Sequence, residues 1–302
     1  MRRRTLIAGL AAAAGLAGCA AEKSTATPIL SSTTASSLAP RDVTPYVPEP
    51  GRAPSQSYEV RQRDLSFARG DRPLPTRVWY PVAASGRFPV ILFSHGLTGQ
   101  PDDYAAMLTR WAQAGFVVAG PRYPHTSYSA DAYDALDIVN QPADASYVLD
   151  RLLALGSGDP LGAMLDPDRL AAAGHSGGGI TTAGLFSASR DQRLKAGIVL
   201  AGTDFQGAPF TGPPAAMLFV HGRADETVTY RAGHTVFAAV PWSRAMLSIT
   251  DGGHLTTGAD FGATVGTSTE FLRWSLYGDA AAKARVASAA ATGGVATLEN
   301  QL

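Results

Sequence analysis

Leu170-Ala171-Ala172-Ala173-Gly174-His175-Ser176-Gly177-Gly178-Gly179-Ile180-Thr181-Thr182-Ala183-Gly184-Leu185-Phe186 is the stretch on which the fold of this chain turns. Its first four residues form a short apolar run of strand type, and residues 180–186 are small and apolar in the manner of a buried helix. Between them stands Gly-x-Ser-x-Gly. A serine held on so tight a strand-to-helix turn needs small residues two places before and two places after it, because larger ones would collide across the bend. The helix that begins there turns its free N–H groups and its positive end toward the turn. In a chain with 32 Gly the bare motif arises easily. The strand before it and the helix after it give it meaning.

The same alternation extends in both directions. Val78-Trp79-Tyr80, Phe88-Pro89-Val90-Ile91-Leu92-Phe93 and Phe116-Val117-Val118-Ala119-Gly120 read as strands, as do residues 196–200, 215–220 and 245–249. Residues 103–114 read as an amphipathic helix with Tyr104, Met107, Leu108 and Trp111 on one face, closed by Gly115. A second helix spans 144–155 with Tyr147, Val148, Leu152 and Leu155 on its stripe; others are expected at 230–239 and near 268–277. Near-continuous apolar strands separated by helices predict a mostly parallel sheet covered on both faces. The fold class is α/β, a single doubly wound domain without a separate lid. The Ala-rich stretch 280–302 carries no signal that decides between packing and fraying.

A serine becomes a nucleophile only beside a base, and the base needs an acid to orient it. In strand-turn-helix serine sites the chain order is serine, acid, histidine. Of the six histidines, His221, His234 and His254 follow Ser176. His221 ends a strand and points at the turn beyond it, and His234 falls within the helix at 230–239. His254 closes Thr250-Asp251-Gly252-Gly253-His254, a glycine loop at the carboxyl edge of the sheet, where ligands bind in open α/β folds. His254 is the expected base. Asp225, just past the strand 215–220, is the expected acid; Asp204 is its rival, with Glu226 and Asp251 behind. The N–H of Gly177 and that of Leu97, in Phe93-Ser94-His95-Gly96-Leu97-Thr98-Gly99, are the candidate oxyanion donors. His95 precedes the serine and suits structural hydrogen bonding. The long segment 121–140 is a candidate wall of the substrate pocket.

Composition narrows the remaining classes. The chain has 302 residues, 45% hydrophobic, with 25 Lys+Arg against 25 Asp+Glu. Zero net charge offers no basic footprint for nucleic acid. The single cysteine, Cys19, forbids an internal disulfide or a cysteine-based zinc site. It closes a leader: Arg2-Arg3-Arg4, then an apolar run from Thr5 to Leu16, then Leu16-Ala17-Gly18-Cys19. The run is shorter than the ~20 residues a membrane-spanning helix needs. The Leu-Ala-Gly-Cys ending resembles the lipobox of bacterial lipoproteins, which implies a signal peptide over 1–18 cut before a lipidated Cys19. Residues 19–56, rich in Ser, Thr and Pro, are the expected tether from membrane to domain. The expected location is the outer face of the cytoplasmic membrane. The paired arginines leave Sec and twin-arginine export both open. Residues 57–302 form the domain.

Ser94-His95-Gly96-Leu97, Gly174-His175-Ser176-Gly177-Gly178-Gly179 and the Asp225/His254 pair resemble α/β-hydrolases of the dienelactone-hydrolase, cutinase-like polyester-hydrolase and platelet-activating-factor acetylhydrolase group. In the last branch the acid follows the strand after the nucleophile helix; here that strand, Gly197-Ile198-Val199-Leu200, is followed by Ala201. The polyester-hydrolase placement is met instead, Asp225 lying 49 residues after Ser176 and His254 29 after Asp225. Leu97 stands where many polyester hydrolases carry Tyr or Phe, no Met follows Ser176, and a serine replaces the cysteine nucleophile of the dienelactone hydrolases. The resemblance implies a serine hydrolase of carboxylic esters, short- to medium-chain or polyester-like, with Ser176, Asp225 and His254 catalytic, Leu97 and Gly177 holding the oxyanion, and no metal or organic cofactor. A serine peptidase or amidase and a non-catalytic binding lipoprotein are the alternatives.

Overall fold

The computed structural model describes residues 43–83, 85–255 and 258–302. The leader, Cys19 and the tether through residue 42 lie outside the described residues. The remainder builds one sheet. β1 (Val60–Arg69) and β2 (Arg72–Pro81) form a hairpin, followed by β3 (Phe88–Ser94), α1 (Ala105–Gln113), β4 (Val117–Pro121) and α2 (Gln141–Leu153). Then come β5 (Leu165–His175), α3 (Gly177–Gly184), β6 (Leu194–Leu200), β7 (Ala216–Gly222), α4 (Tyr230–Ala239) and β8 (Arg244–Ile249). The chain closes with α5 (Gly258–Tyr277), α6 (Ala280–Ala290) and β9 (Ala296–Gln301). Among the described residues the sheet has nine strands, ordered β1-β2-β4-β3-β5-β6-β7-β8-β9. The six from β4 to β8 in that order are parallel, and β1, β2 and β9 are antiparallel additions at the two edges.

The period of two explains why the central strands are apolar throughout. Val90 and Leu92 of β3 enter one core and Ile91 and Phe93 the other. The first core is completed by Val148, Leu149 and Leu152 of α2 and Val236 and Phe237 of α4. The second takes Leu108 and Trp111 of α1 and Phe271 and Leu272 of α5. Each such side chain contributes roughly 1.5–3 kcal/mol when fully buried, so both faces must be covered for the sheet to persist. Parallel pairing also sends the carboxyl ends of β3, β5, β7 and β8 to one edge. The turns that follow them, with Leu97, Ser176, Asp225 and His254, therefore share that edge.

Two stretches depart from the sequence reading, and a third decides what it leaves open. Residues 43–56, expected as the end of the tether, lie against the domain. Thr44 bridges to Trp242, the Tyr46 hydroxyl donates to the Ser275 carbonyl at 2.9 Å, and Ala53 is buried. The helix expected near 268–277 begins at Gly258. The Ala-rich tail packs: Ala282, Val286 and Ala290 of α6 enter the second core, and β9 pairs with β8 from Arg244↔Gln301 to Ile249↔Ala296.

Candidate active site

Ser176 sits between β5 and α3 with φ 55° and ψ −117°, a left-handed conformation that costs a non-glycine residue on the order of 1–3 kcal/mol. Its neighbours hold it there. The Ser176 N–H donates to the Leu200 carbonyl at 2.9 Å, and its own carbonyl accepts from the Ile180 N–H at 3.1 Å. A Cβ on Gly174 would strike the Gly178 carbonyl, and one on Gly178 would strike the Ser94 carbonyl. The two flanking glycines are thus required by backbone-to-backbone approach, as the motif predicts.

The structure brings Ser176, His254 and Asp225 into one line. His254 Nε2 lies 2.8 Å from Ser176 Oγ, and His254 Nδ1 lies 2.8 Å from Asp225 Oδ2. The other carboxylate oxygen of Asp225 accepts the backbone N–H groups of Thr227 at 2.8 Å and Val228 at 2.9 Å. Burial alone would raise the Asp225 carboxyl. The bond to His254 and the two backbone donors outweigh it and hold the group below its ordinary range. Because the carboxylate oxygens can only accept, His254 carries its proton on Nδ1 and turns a free electron pair on Nε2 toward Ser176. Asp204 accepts instead from the Gln206 N–H at 3.0 Å, within its own turn. Glu226 and Asp251 are exposed. Among the described residues, the carboxylate on His254 is that of Asp225.

The other histidines fall into structural places. His221 Nε2 donates to the Val228 carbonyl at 2.8 Å and lies 3.3 Å from Asp225 Oδ2, supporting the acid from behind. His234 is on α4, beside Glu299 at 3.1 Å. His95 is buried: Nε2 accepts the Tyr123 N–H at 3.1 Å, so Nδ1 donates to the Gly96 carbonyl at 2.8 Å. Its desolvation lowers the imidazole to about 4. The sequence assigns His175 no role and places Tyr104 on a helix face. In the structure both face the site: His175 Nε2 donates to the main-chain carbonyl of His254 at 2.7 Å, and its Nδ1 is 2.9 Å from the Tyr104 hydroxyl. The only sequence signal for them was a histidine inside the glycine motif.

Leu97 lies over Gly177, where a Cβ would come 3.1 Å from Leu97 Cγ. Among the described residues neither the Leu97 nor the Gly177 N–H has an acceptor, so both are free for an incoming oxygen. The segment 121–140 is tied to the Leu97 loop, the Thr98 N–H donating to the Thr126 carbonyl at 2.7 Å and the Tyr128 N–H to the Gly99 carbonyl at 3.1 Å. Gln141 links Thr126 to Thr181 of α3. Leu97, Tyr128, Tyr133, Leu136, Val139, Phe205 and Leu255, all on connections beyond carboxyl ends of parallel strands, are exposed large apolar side chains. No group of metal-ligating side chains occurs among the described residues, and none of their helices is long and apolar enough to cross a membrane.

Comparison with known proteins agrees with this frame. The family model described as chlorophyllase matches residues 44–205, more than half of the chain, a span that holds Leu97, Ser176 and Gly177 and ends before Asp225. A platelet-activating factor acetylhydrolase of Canis lupus familiaris is 29% identical over 178 aligned residues, covering 45% of this chain and 40% of its own. One from Cavia porcellus is 26% identical over 175, with the same coverage. The match thus spans about two fifths of the length of these curated relatives.

Proposed function

The chain belongs to the chlorophyllase family, and from that premise we propose that it hydrolyses carboxylic esters of short to medium acyl length through an acyl-enzyme on Ser176. The observation that carries this reading is the unbroken line Ser176 Oγ, His254 Nε2, His254 Nδ1, Asp225. Ser176 Oγ attacks the ester carbonyl carbon as its proton passes to His254 Nε2. The Leu97 and Gly177 N–H groups receive the oxyanion, and each such donor is worth about 3 kcal/mol of transition-state stabilisation. The carbon–oxygen bond to the alcohol breaks and the alcohol leaves with the proton from His254. Water then gives a proton to His254 and attacks the acyl carbon, and the acid departs as Ser176 regains its hydrogen. Asp225 remains ionised and stabilises the imidazolium.

The apolar residues around Ser176 support an acyl or alcohol group that is itself apolar. Leu97 and Leu255 are 37% and 65% exposed beside the nucleophile and base, and covering such surface contributes about 25 cal/mol per Å². The leader and Cys19 support a lipid-anchored protein of the bacterial cell envelope. Acylation of Cys19 is tested by metabolic labelling with a clickable palmitate, which Cys19→Ser abolishes. The activity is tested with p-nitrophenyl esters from acetate to palmitate and with a fluorophosphonate probe. Turnover and labelling, both lost in Ser176→Ala, are expected. Labelling with no ester turnover favours an amide substrate, and neither signal from the folded chain refutes the hydrolase.

A further inference from the structure

Between the Leu97 loop and the His254 loop runs a line of hydrogen bonds that the acyl-transfer steps do not use. The N–H of Gly96 donates to the Tyr104 hydroxyl oxygen at 3.2 Å, that oxygen lies 2.9 Å from His175 Nδ1, and His175 Nε2 lies 2.7 Å from the His254 carbonyl. Valence sets the directions. A carbonyl only accepts, so Nε2 holds the His175 proton and Nδ1 is the acceptor. Tyr104, whose oxygen already receives the Gly96 N–H, gives its own proton to Nδ1. Burial favours the same assignment, lowering His175 to about 4 and raising Tyr104 to about 12, so the imidazole is neutral and the phenol protonated at pH 7.

The sheet itself does not set the distance between these loops. β3 and β8 are separated by β5, β6 and β7, so no ladder bond joins them. His175 ends the intervening β5, with its ring centroid 4.8 Å from that of His254 and 5.5 Å from that of Tyr104. Gly96 leaves room for the junction, since a Cβ there would stand 3.2 Å from the Tyr104 oxygen and 3.3 Å from His175 Nδ1. We propose that Tyr104 and His175 are positioning residues that hold the Leu97 donor and the His254 base in register, so that both meet the same carbonyl group. This inference rests on the ester-hydrolase reading.

The test uses the full chain with Tyr104→Phe, His175→Phe, His175→Gln and the Tyr104→Phe/His175→Phe pair. Tyr104→Phe deletes one hydroxyl and keeps the ring against Phe93, 4.7 Å away between centroids. On p-nitrophenyl butyrate both Phe variants should lose about 10- to 100-fold in kcat with KM nearly constant, the cost of a misplacement of roughly 1 Å. His175→Gln, which restores a side-chain N–H for the His254 carbonyl, should recover part of the loss. The double variant should be no slower than the slower single one, because both remove the same line. Histidine-selective nitrogen NMR of the unreacted protein at pH 7 should find His175 neutral with its proton on Nε2. An unchanged kcat in Tyr104→Phe overturns the proposal even if His175→Phe is slow, and so does a proton on Nδ1. A wild-type chain that neither turns over esters nor reacts with fluorophosphonate refutes the hydrolase reading instead, and the NMR result then still judges the hydrogen-bond line.

Discussion

Replacing Asp225 by asparagine separates the acid's chemical role from its structural one, because the structure decides how the amide must lie. Oδ1 accepts two backbone N–H groups, from Thr227 and Val228, so the carbonyl oxygen of Asn has to occupy that place. The NH₂ group then replaces Oδ2 and faces His254 Nδ1, 2.8 Å away. Two donors cannot share that contact. His254 is driven to the tautomer with its proton on Nε2, which donates to Ser176 and cannot take its hydrogen. Relative to wild type, the competent tautomer lacks a charge-assisted bond of about 1.5–3 kcal/mol and strands a buried donor at about 1–3 kcal/mol more. A total of about 2.5–6 kcal/mol corresponds to a fall in kcat of roughly 10²- to 10⁴-fold. KM should change little, and so should the thermal midpoint, because His221 keeps the Val228 carbonyl. Saturation kinetics on p-nitrophenyl butyrate, with circular dichroism as the folding check, measures this. Asp225→Asn retaining more than about a tenth of wild-type kcat would refute the reasoning, since it implies a barrier change below about 1.4 kcal/mol. Asp204→Asn is the matching control and should be near wild type.

Acid should destabilise the domain before its carboxylates titrate. His95 and His175 are held at about 4 by burial, against an ordinary 6.5; above 6.5 neither state is protonated, whereas between 6.5 and 4 the unfolded chain gains protons that the folded one refuses, at about 2 kcal/mol for each histidine by pH 5. A urea midpoint that does not move between pH 7 and pH 5 contradicts this. Gly178→Ala forces a Cβ into the Ser94 and His95 carbonyls and should cost about 3 kcal/mol or more, whereas Gly253→Ala, with open space at its Cβ, should stay within about 0.5 kcal/mol; equal melting of the two variants would be inconsistent with the close approach. Arg72 bonds Asp137 and the fully buried Asp144 together, so Arg72→Ala leaves the buried Asp137 without a guanidinium and Asp144 with Arg69 alone. It should lower the thermal midpoint by roughly 6–12 °C, from about 3 kcal/mol; a midpoint equal to wild type in calorimetry would contradict this.

The elements legible in the sequence were those whose burial is uniform. β3, β4, β6, β7 and β8 are buried along almost their whole length and stand out as unbroken apolar runs. β1 and β9 are not legible because edge strands are half solvated: Val60–Arg69 buries Leu65 amid Arg, Gln and Asp, and Ala296–Gln301 has no buried residue. Residues 43–56 have the Pro and Ser content of a tether, yet Tyr46 and Ala53 are held by Ser275 and Asp279, contacts more than 200 residues distant that composition cannot register.

The sequence by itself determined the turn that carries Ser176, because the strand, the glycines and the helix that force it are neighbours along the chain and their sterics are local. It also determined that His254 comes from a glycine loop after the last parallel strand. Which of Asp225 and Asp204 meets His254 was decided by the tertiary structure. Both follow strands of the same sheet, but the turn after β7 delivers its carboxylate to His254 and the turn after β6 folds Asp204 back onto Gln206. The line from Gly96 through Tyr104 and His175 to His254 likewise exists only once β3, β5 and β8 are laid side by side. Hydrogen bonds act over about 3 Å, and only the packing of the sheet brings atoms from positions 96, 104, 175 and 254 within that range.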